Sequence, residues 1–384
     1  MNKSGQFIKS QSVTMGDNES YSYFLPSEFP LQDLDLSNIQ NTLSEADRYI
    51  GQLHGIENNI PHFELIIERY AQKEALLSSQ IEGTQSSLVA LLSDNDKSSK
   101  SMDIREVKNY FNALNHGIKR IKQDNFPLCL RLLKEIHEIL MTDVRGGESG
   151  NTPGELRKTQ NWIGGTRPSN AMFVPPAPEK VSDLMSNLEK YIHEDDIPPL
   201  VKCALLHYQF ETIHPFCDGN GRTGRILITL YLIYKDIISS PILYLSLFFK
   251  IDRQSYYDAL TLPRKMGNFE SYIGYFLNGI IVTSKQVIET SRKINELQLF
   301  NGVKIADMND DNAIILSSFI QKNPILQIKD FTANHHISFP TASKLFEKFV
   351  KMGILEQISE GQRNKRYKYS EYMKIFEEGT ENYK

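Results

Sequence analysis

Twelve residues near the middle of the chain combine the side chains that phosphate chemistry needs. The segment from His214 to Arg225 has the sequence HPFCDGNGRTGR. Gly219 and Gly221 allow the backbone to approach a ligand closely and to adopt φ > 0. The turn at 219–221 leads into a helical pattern over about 222–235. Because free amides and the helix dipole favour an anion at a helix N-terminus, we expect phosphate to bind here.

The polar side chains of the same segment suit a phosphate ligand. Arg222 and Arg225 are three positions apart, so we expect both on one face of the first helical turn, gripping phosphate oxygens. Asp218 offers a hard oxygen for Mg²⁺ beside those phosphates, and Asn220 can donate to a phosphate oxygen. A histidine in water titrates near neutral pH, so we expect His214 to be the available proton acceptor. Together these residues predict a phosphate-binding helix start with a base.

Each feature also has an ordinary structural explanation. A Gly-Asn-Gly sequence is most often a plain turn, a single histidine is usually structural, and two arginines on a helix are usually solvated. The segment matches neither GxxxxGK[ST] nor GxGxxG, the common nucleotide-binding patterns. The concentration of all these residues at one helix start favours the functional interpretation.

The segment closely resembles the Fic-family motif HxFx[DE]GNGRxxR. The specified positions are filled by His214, Phe216, Asp218, Gly219, Asn220, Gly221, Arg222 and Arg225. The resemblance implies a helical Fic core that transfers AMP from ATP to a hydroxyl of a target protein, and of the enzyme itself. It also implies that His214 deprotonates the target Ser, Thr or Tyr and that Asp218 holds Mg²⁺.

The resemblance further implies which residues bind ATP. Asn220 and the backbone amides around it would hold the α- and β-phosphates, the two arginines would hold the β- and γ-phosphates, and Phe216 would anchor the loop. The expected ATP-binding residues of the segment are Gly219, Asn220, Gly221, Arg222, Thr223, Gly224 and Arg225. The branch of the family that phosphorylates departs from the motif at its second glycine. Since Gly221 is present, AMP transfer is favoured over phosphorylation.

A second segment, over residues 145–178, contains six glycines and five prolines, which exclude a helix. Here KTQNWIGG (158–165) and AMFVPP (171–176) predict the two strands of a small hairpin. The hairpin resembles the Fic flap, which binds a target segment by strand pairing. By resemblance, backbone at Ile163, Gly164, Gly165 and Thr166 contacts the nucleotide, although a plain hairpin turn explains the glycines equally well. Tyr257, next to Tyr256, lies where related proteins stack an aromatic ring near adenine; core packing is the alternative.

A third segment, SSQIEG at 78–83, resembles the inhibitory motif [ST]xxxE[GN] of the family through Ser78 and Glu82. The resemblance implies that Glu82 pairs with Arg225, so that this arginine cannot bind the γ-phosphate and ATP lies out of line for attack. The alternative is a solvated glutamate at a helix end. We expect autoinhibition by Glu82.

Helical periodicity predicts most of the elements that position these residues. We expect polar, frayed residues at 1–20 and an extended arm at 21–36. The predicted helices cover about 38–54, 62–81, 102–122, 128–141, 180–193, 199–213, 222–235, 253–262 and 268–298. The fold prediction is therefore mainly α, a helical Fic-type bundle with a small β-hairpin flap. We predict an N-terminal region with the inhibitory helix over 1–100 and a catalytic core over 101–300.

The remaining domain, 301–384, has the pattern of a winged helix-turn-helix. Three short helical patterns at about 313–321, 328–333 and 339–352 are followed by strand, turn and strand. Residues 344–368 carry seven basic and three acidic side chains, a net charge of +4. The exposed basic positions expected on the third helix and the wing are Lys344, Lys348, Lys351, Arg363, Lys365 and Arg366. DNA binding is one interpretation; a dimerisation or protein-docking module is the other.

Composition limits the remaining classes of function. The 384 residues are 40% hydrophobic and 23% charged, with a net charge of −4, which is typical of a globular protein. Three widely spaced cysteines, Cys129, Cys203 and Cys217, give neither a disulfide framework nor a zinc pattern. No apolar run is long enough for a membrane helix. We therefore expect a cytoplasmic protein with no membrane partner.

Three functional hypotheses remain open. The first is a protein adenylyltransferase that uses ATP and Mg²⁺ on an unknown target protein, with a homodimer as a family-level expectation. The second is a winged-helix DNA regulator whose Fic core senses nucleotide. The third is the same site used to transfer another nucleotide or to remove AMP. An intact base and metal ligand favour an enzyme, because a sensor needs neither.

Overall fold

The structure is a computed structural model that describes residues 4–14, 17–31, 34–59, 63–93, 101–146, 152–359 and 365–381. Helices dominate the described part of the chain, and the strands form two small antiparallel sheets. The mainly helical prediction is confirmed.

An N-terminal hairpin replaces the frayed end expected from the polar sequence. Strands β1 (Gly5–Thr14) and β2 (Asp17–Pro26) pair antiparallel. Phe24 is fully buried, packs edge-on against Phe7 at 5.1 Å and donates its backbone N–H to Val174 O at 2.9 Å. The prediction of frayed residues is therefore wrong for 5–14 and 17–20. The extended conformation predicted from 21 is found in β2 over 21–26, where it is paired in a sheet. These strands carry few apolar residues, and tertiary contacts with the flap hold them.

Three helices follow, two of which match the predictions. They are α1 (Gln40–Asn59), α2 (Phe63–Ile81) and the short α3 (Leu88–Ser93), which periodicity did not predict. Helix α2 buries charged and polar side chains as well as apolar ones, among them Arg69, Lys73, Glu74 and Ser78. Such burial is uncommon unless the groups are paired, which indicates that other elements surround the helix that carries the Ser78–Glu82 segment.

The region predicted as the catalytic core, 101–300, forms a bundle of helices, of which only the short one at 246–251 had not been predicted. In chain order these are α4 (Met102–Lys122), α5 (Leu130–Met141), α6 (Pro178–Ile192), α7 (Pro199–Ile213), α8 (Asn220–Tyr234), α9 (Ser246–Ile251), α10 (Arg253–Met266) and α11 (Phe269–Ala306). Helix α8 begins at Asn220, two residues earlier than predicted. Helices α7 and α8 are buried on nearly all sides, as expected for helices with little polar face.

Helix α8 is the element around which the site is built. It packs against α4, α5 and α7, and also touches α2. Its N-terminus follows the turn at Gly219, whose φ of 73° lies in the left-handed region that glycine adopts without strain. The predicted phosphate-binding helix start is therefore enclosed by α2 on one side and α5 on the other.

The flap follows the predicted path but has less strand structure. Ile163 and Phe173 form one isolated antiparallel bridge in place of the two strands predicted at 158–165 and 171–176. Gly164 and Gly165 have φ of 67° and 70°, and prolines flank the segment, so a regular ladder cannot continue. A short 3₁₀ helix, Pro168–Asn170, forms the tip.

The C-terminal elements match the predicted order and add to it. They are α12 (Asp311–Lys322), β3 (Ile325–Gln327), α13 (Ile328–His335), α14 (Phe339–Lys351), β4 (Glu356–Gln357), β5 (Arg366–Lys368) and α15 (Ser370–Glu377). The sheet has the order β3-β5-β4. Lys344, Lys348 and Lys351 are exposed on α14, whereas Arg363 lies outside the described residues. The winged-helix interpretation stays a prediction.

None of the helices in the described part of the chain is both long and apolar enough to cross a bilayer.

Candidate active site

His214 ends helix α7 in a left-handed conformation, with φ 51° and ψ 60°. This conformation turns the chain sharply into the loop that leads to α8. The Nδ1 atom of His214 lies 3.4 Å from Glu211 O, a carbonyl that can only accept a hydrogen bond. The Nδ1–H tautomer therefore fits this contact and leaves the Nε2 lone pair for a substrate proton.

Burial keeps the His214 imidazole neutral. Removal from water lowers the pKa of His214 to about 4, and the nearby charges of Arg157 and Arg264 add to this, while a hydrogen bond to the Glu211 backbone works against it. A neutral imidazole can accept a proton. The side chain is 17% exposed, so it is reachable from solvent.

The loop between α7 and α8 is closed by one side chain. Asn220 Oδ1 accepts from Phe216 N, and Asn220 Nδ2 donates to Phe216 O, both at 2.8 Å. Asn220 is nearly fully buried. These bonds show a structural role for Asn220; its contact with phosphate stays a prediction.

Asp218 is exposed at the rim of this loop. Its Oδ1 accepts from Gly219 N at 2.6 Å, and a Cβ added to Gly146 would lie 1.9 Å from its Oδ2. Across the described residues, no three His, Cys, Asp or Glu side chains cluster to hold a metal. One exposed carboxylate fits Mg²⁺, which commonly takes one or two carboxylates with substrate phosphates and water.

The two motif arginines diverge, contrary to the expectation that they share one face. Arg222 extends toward α5, where its Nη2 lies 3.6 Å from Met141 Sδ. Its Nε and Nη1 are buried without a hydrogen-bond partner among the described residues. Buried donors are normally satisfied, so two free ones on a guanidinium point to an anion as the missing partner.

Arg225 extends the other way, into α2. Its Nε donates to Ser78 Oγ at 2.7 Å and its Nη2 donates to Ser78 O at 3.1 Å. Nη2 also lies 2.5 Å from Glu82 Oε1. The arginine is 2% exposed and the glutamate 35%. The structure thus brings together Glu82 and Arg225, which the sequence analysis paired, and adds Ser78, whose bonds to Arg225 were not predicted.

The Glu82–Arg225 pair is ionised. Burial alone would raise the pKa of Glu82, but the charge and hydrogen bond of Arg225, with smaller effects of Arg222 and Arg253, lower it below its usual value. Burial would likewise lower the pKa of Arg225, yet Glu82 raises it above its usual value, helped by Tyr256 and Glu211.

The carboxylate of Glu82 lies against the first turn of α8. A Cβ added to Gly221 would be 2.3 Å from Glu82 Oε1 and 3.0 Å from Arg225 Nη1. The absence of a side chain at Gly221 therefore creates a small space beside an arginine, and this space holds an anionic group of the protein itself.

Two family models match the chain over most of these elements. The model described as Fic/DOC family matches residues 127–232, and the model described as Fic/DOC family N-terminal matches residues 40–119. The two matches include the motif loop, the flap and helix α2. This chain belongs to the Fic/DOC family.

Curated relatives of this Fic protein are distant. It is 25% identical to "Protein adenylyltransferase Fic" of Aedes aegypti over 298 residues, which is 72% of this chain and 55% of the relative. It is 32% identical to "Protein adenylyltransferase fic-1" of Caenorhabditis briggsae over 117 residues, 28% of this chain and 22% of that protein. The matched regions thus span between about a fifth and about half of the length of these relatives.

Solved structures share the fold. A Fic family protein from Desulfovibrio desulfuricans G20 matches with a TM-score of 0.57 and 20% identity, covering 89% of this chain and 98% of that one. Fic-1 (residues 134–508) from C. elegans matches with a TM-score of 0.50 and 19% identity, covering 67% and 76%.

The flap of this Fic protein is fixed to the motif loop. Asn161 Nδ2 donates to Phe216 O at 2.9 Å. Arg157, which the sequence analysis missed, donates from Nε to His214 O at 2.9 Å, and from Nη2 to Pro176 O at 2.5 Å. Its position after the glycine-rich stretch gave no periodic signal. It holds the His214 backbone against both ends of the flap.

The remaining predicted site residues have mixed surroundings. Thr223 is buried and donates to Gly219 O at 2.9 Å. Thr166 is exposed and donates its backbone N–H to Asn170 Oδ1.

Tyr256 lies in the core, as the alternative predicted, with its hydroxyl 2.9 Å from His207 Nε2. Tyr257 is partly buried, and the charge of Glu82 contributes to raising its pKa after burial itself. Nucleotide contacts of these residues stay predictions.

Glu211 is a second site residue that sequence analysis missed. Its side chain is buried, and its Oε1 has no hydrogen-bond partner among the described residues. A Cβ at Gly224 would lie 2.3 Å from this oxygen. Burial raises the pKa of Glu211 to about 7, against the lowering effect of Arg225. The available signal was that Glu211 is the only acidic residue of α7 and lies three positions before His214.

Proposed function

We propose that this Fic protein is a protein adenylyltransferase, restrained by Glu82. The observation that carries the proposal is the Glu82 carboxylate held between Gly221 and Arg225 at the start of α8. A site that holds a carboxylate with a buried guanidinium at a helix N-terminus is suited to phosphate. The names of the two curated relatives described above, both protein adenylyltransferases, support the same activity.

In the proposed reaction, a target hydroxyl attacks the α-phosphorus of ATP. The new bond joins the hydroxyl oxygen to phosphorus, the bond to the β-phosphate bridging oxygen breaks, and pyrophosphate leaves. His214 Nε2 accepts the hydroxyl proton, which a neutral imidazole can do. The proposed role of Arg222 is to bind charge on the phosphates, which its two unsatisfied buried N–H groups support.

Asp218 is the residue that would hold Mg²⁺. The metal, when bound, offsets phosphate charge as pyrophosphate leaves. The part played by the chain is to keep this carboxylate at the loop rim, beside the first turn of α8, by fixing the loop through Asn220 and Phe216.

The proposed restraint acts through geometry. While Arg225 is bonded to Ser78 and Glu82 through Nε and Nη2, the Glu82 carboxylate occupies the space beside Gly221 and Arg225 Nη1 in which we expect the γ-phosphate. A triphosphate that lacks this contact is misplaced, and a misplaced α-phosphate costs much of the rate that positioning supplies. Removing the Glu82 carboxylate leaves the bonds to Ser78 but opens the space over Gly221 and removes the negative charge beside Arg225.

Intact mass tests the proposal directly. Wild-type protein, Glu82→Gly and Glu82→Gly/His214→Ala are each incubated with ATP and Mg²⁺, and their masses are compared. We expect an AMP-sized gain that is at least tenfold faster in Glu82→Gly than in wild type and absent from the double variant. Glu82→Gln is the matched control for charge, since it keeps the length of the side chain; we expect it to fall between wild type and Glu82→Gly.

Three results would contradict parts of the proposal. Equal mass gains in wild type and Glu82→Gly would contradict the role of Glu82 as a restraint. A mass gain that persists in Glu82→Gly/His214→Ala would contradict the role of His214 as the base. No gain with ATP, but a gain with another nucleotide, would replace AMP transfer with a different transfer at the same site. Nucleotide binding measured in parallel shows that each variant has an intact site.

A further inference from the structure

His137 lies beneath the motif loop, on the buried face of α5. It is 4% exposed, and its ring stacks on that of Phe216 at 3.8 Å with an angle of 6° between the planes. A Cβ added to Gly219 would lie 3.4 Å from His137 Nε2 and 2.6 Å from Met141 Sδ. His137 and Met141 therefore form the floor of the turn that begins α8.

The hydrogen bonds of His137 determine its tautomer. Gly154 N lies 2.8 Å from Nδ1, and a backbone N–H can only donate. Asp218 O lies 3.0 Å from Nε2, and a carbonyl can only accept. The ring must therefore accept at Nδ1 and donate at Nε2, so it is neutral with its proton on Nε2.

These two bonds join two parts of the site that are far apart in sequence. One partner is the main chain of Asp218, the residue assigned to Mg²⁺ under the proposed function. The other, Gly154, has a φ of 84° and lies just before Arg157, which holds the flap. A cavity of about 170 Å³ opens beside this contact and is lined by His137, Asp218, Gly146 and Lys158, among others.

We infer that His137 is a positioning residue: it fixes the Asp218 carbonyl, and with it the metal-binding carboxylate, relative to the segment that leads into the flap. The inference rests on the proposed function for its account of Asp218. A ring that only filled the core would need the stacking on Phe216 but neither hydrogen bond. The two bonds can be removed separately, because the side-chain amide of glutamine can replace Nε2 and that of asparagine can replace Nδ1.

Three variants in the Glu82→Gly background separate the effects of the two His137 hydrogen bonds from the effect of its ring. His137→Gln keeps a donor near the Nε2 position, His137→Asn keeps an acceptor near the Nδ1 position, and His137→Phe keeps only the ring. The first measurement is the dissociation constant of ADP, with Mg²⁺ and with EDTA. The second is hydrogen exchange of the Gly154 amide, from overlapping peptides across 152–157. Melting temperature checks each fold.

We expect His137→Gln and His137→Asn to have opposite effects on the two measurements. His137→Gln binds ADP with Mg²⁺ within about threefold of the parent, whereas His137→Asn and His137→Phe bind it about tenfold more weakly, the effect of one buried hydrogen bond. The loss is smaller with EDTA. The Gly154 amide exchanges slowly in His137→Asn, as in the parent, and quickly in the other two variants.

Two results would overturn the inference. One is parent-like ADP affinity in His137→Phe, and the other is the same pattern in His137→Gln and His137→Asn. The second comparison remains decisive even where His137→Phe does not fold. Failure of the proposed function would give a different result: the Glu82→Gly parent would bind ADP with Mg²⁺ but transfer no AMP. The ADP affinities and the Gly154 exchange rates of the His137 variants would still test the positioning role.

Discussion

His214 stays neutral over a wider pH range than a histidine in water. Burial lowers the pKa of His214 to about 4 from its ordinary value of 6.5, and Arg157 and Arg264 act in the same direction. A base with a lowered pKa becomes protonated, and so unable to accept a proton, only when the pH falls through that lowered pKa. The proposed general base is therefore available throughout the neutral and mildly acidic range.

We expect this shift in the pH profile of Glu82→Gly. With excess Mg²⁺, kcat/KM for AMP transfer is expected to lose less than threefold between pH 7.5 and 5.5 and to fall steeply as the pH approaches 4, since this ratio reports the free enzyme. Circular dichroism at each pH checks that the fold persists. A tenfold loss per pH unit that begins near pH 6.5 would mean that the base titrates like an exposed histidine.

Helix α8 is positioned by close contacts with its neighbours. Gly117 on α4 faces it, and a Cβ there would lie 2.6 Å from Leu230 Cδ1 and 3.3 Å from Ile136 Cδ1 of α5. The absence of a side chain at Gly117 lets α4, α5 and α8 meet. Since the start of α8 carries the predicted phosphate-binding turn, this packing also sets the geometry of the site.

Gly117→Ala and Gly51→Ala form a matched pair of helix substitutions. Gly117→Ala is expected to lower stability by about 1–3 kcal/mol through overpacking. Gly51 on α1 has no atom within 4 Å of an added Cβ, so Gly51→Ala is expected to raise stability by up to about 1 kcal/mol through helix propensity. Thermal unfolding of both variants measures this. Equal shifts of the same sign would show that the α4–α8 contact is loose.

Residues 376–380, near the end of the described part of the chain, pack along the helix that precedes the proposed restraint. Lys73 Nζ donates to Glu378 O at 2.6 Å, and Gln80 Nε2 donates to Thr380 O at 3.1 Å. The rings of Tyr70 and Phe376 are 5.6 Å apart. Helix α2 is thus held between the core and the last described residues, and Glu82 follows directly after it.

Removal of residues 378–384 is expected to loosen α2. Lys73, whose pKa burial lowers to about 8, would lose its carbonyl partner, and a buried donor without a partner costs about 1–3 kcal/mol. We expect a melting temperature a few degrees lower, faster hydrogen exchange in 69–81, and AMP transfer closer to that of Glu82→Gly. Lys293→Ala is the control, since its exposed ion pair with Glu378 contributes little. Unchanged exchange in α2 would show that the tail is not needed to seat the helix.

The sequence alone determined the motif and most helices. Residues within a short segment stay close in any fold, so the group from His214 to Arg225 was predictable from spacing. Helices such as α5 and α7 matched within two residues, because apolar periodicity and local propensity act along the chain. Resemblance also led to the pairing of Glu82 with Arg225, which lie 143 positions apart.

Tertiary structure decided the parts that depend on distant neighbours. The hairpin β1–β2 is held by the flap, so its own polar sequence gave no sign of it. The divergence of Arg222 and Arg225 is set by which helix faces each side of α8. His137, Arg157 and Glu211 gave no local motif, because their roles come from backbone atoms and charges that only the fold brings near them.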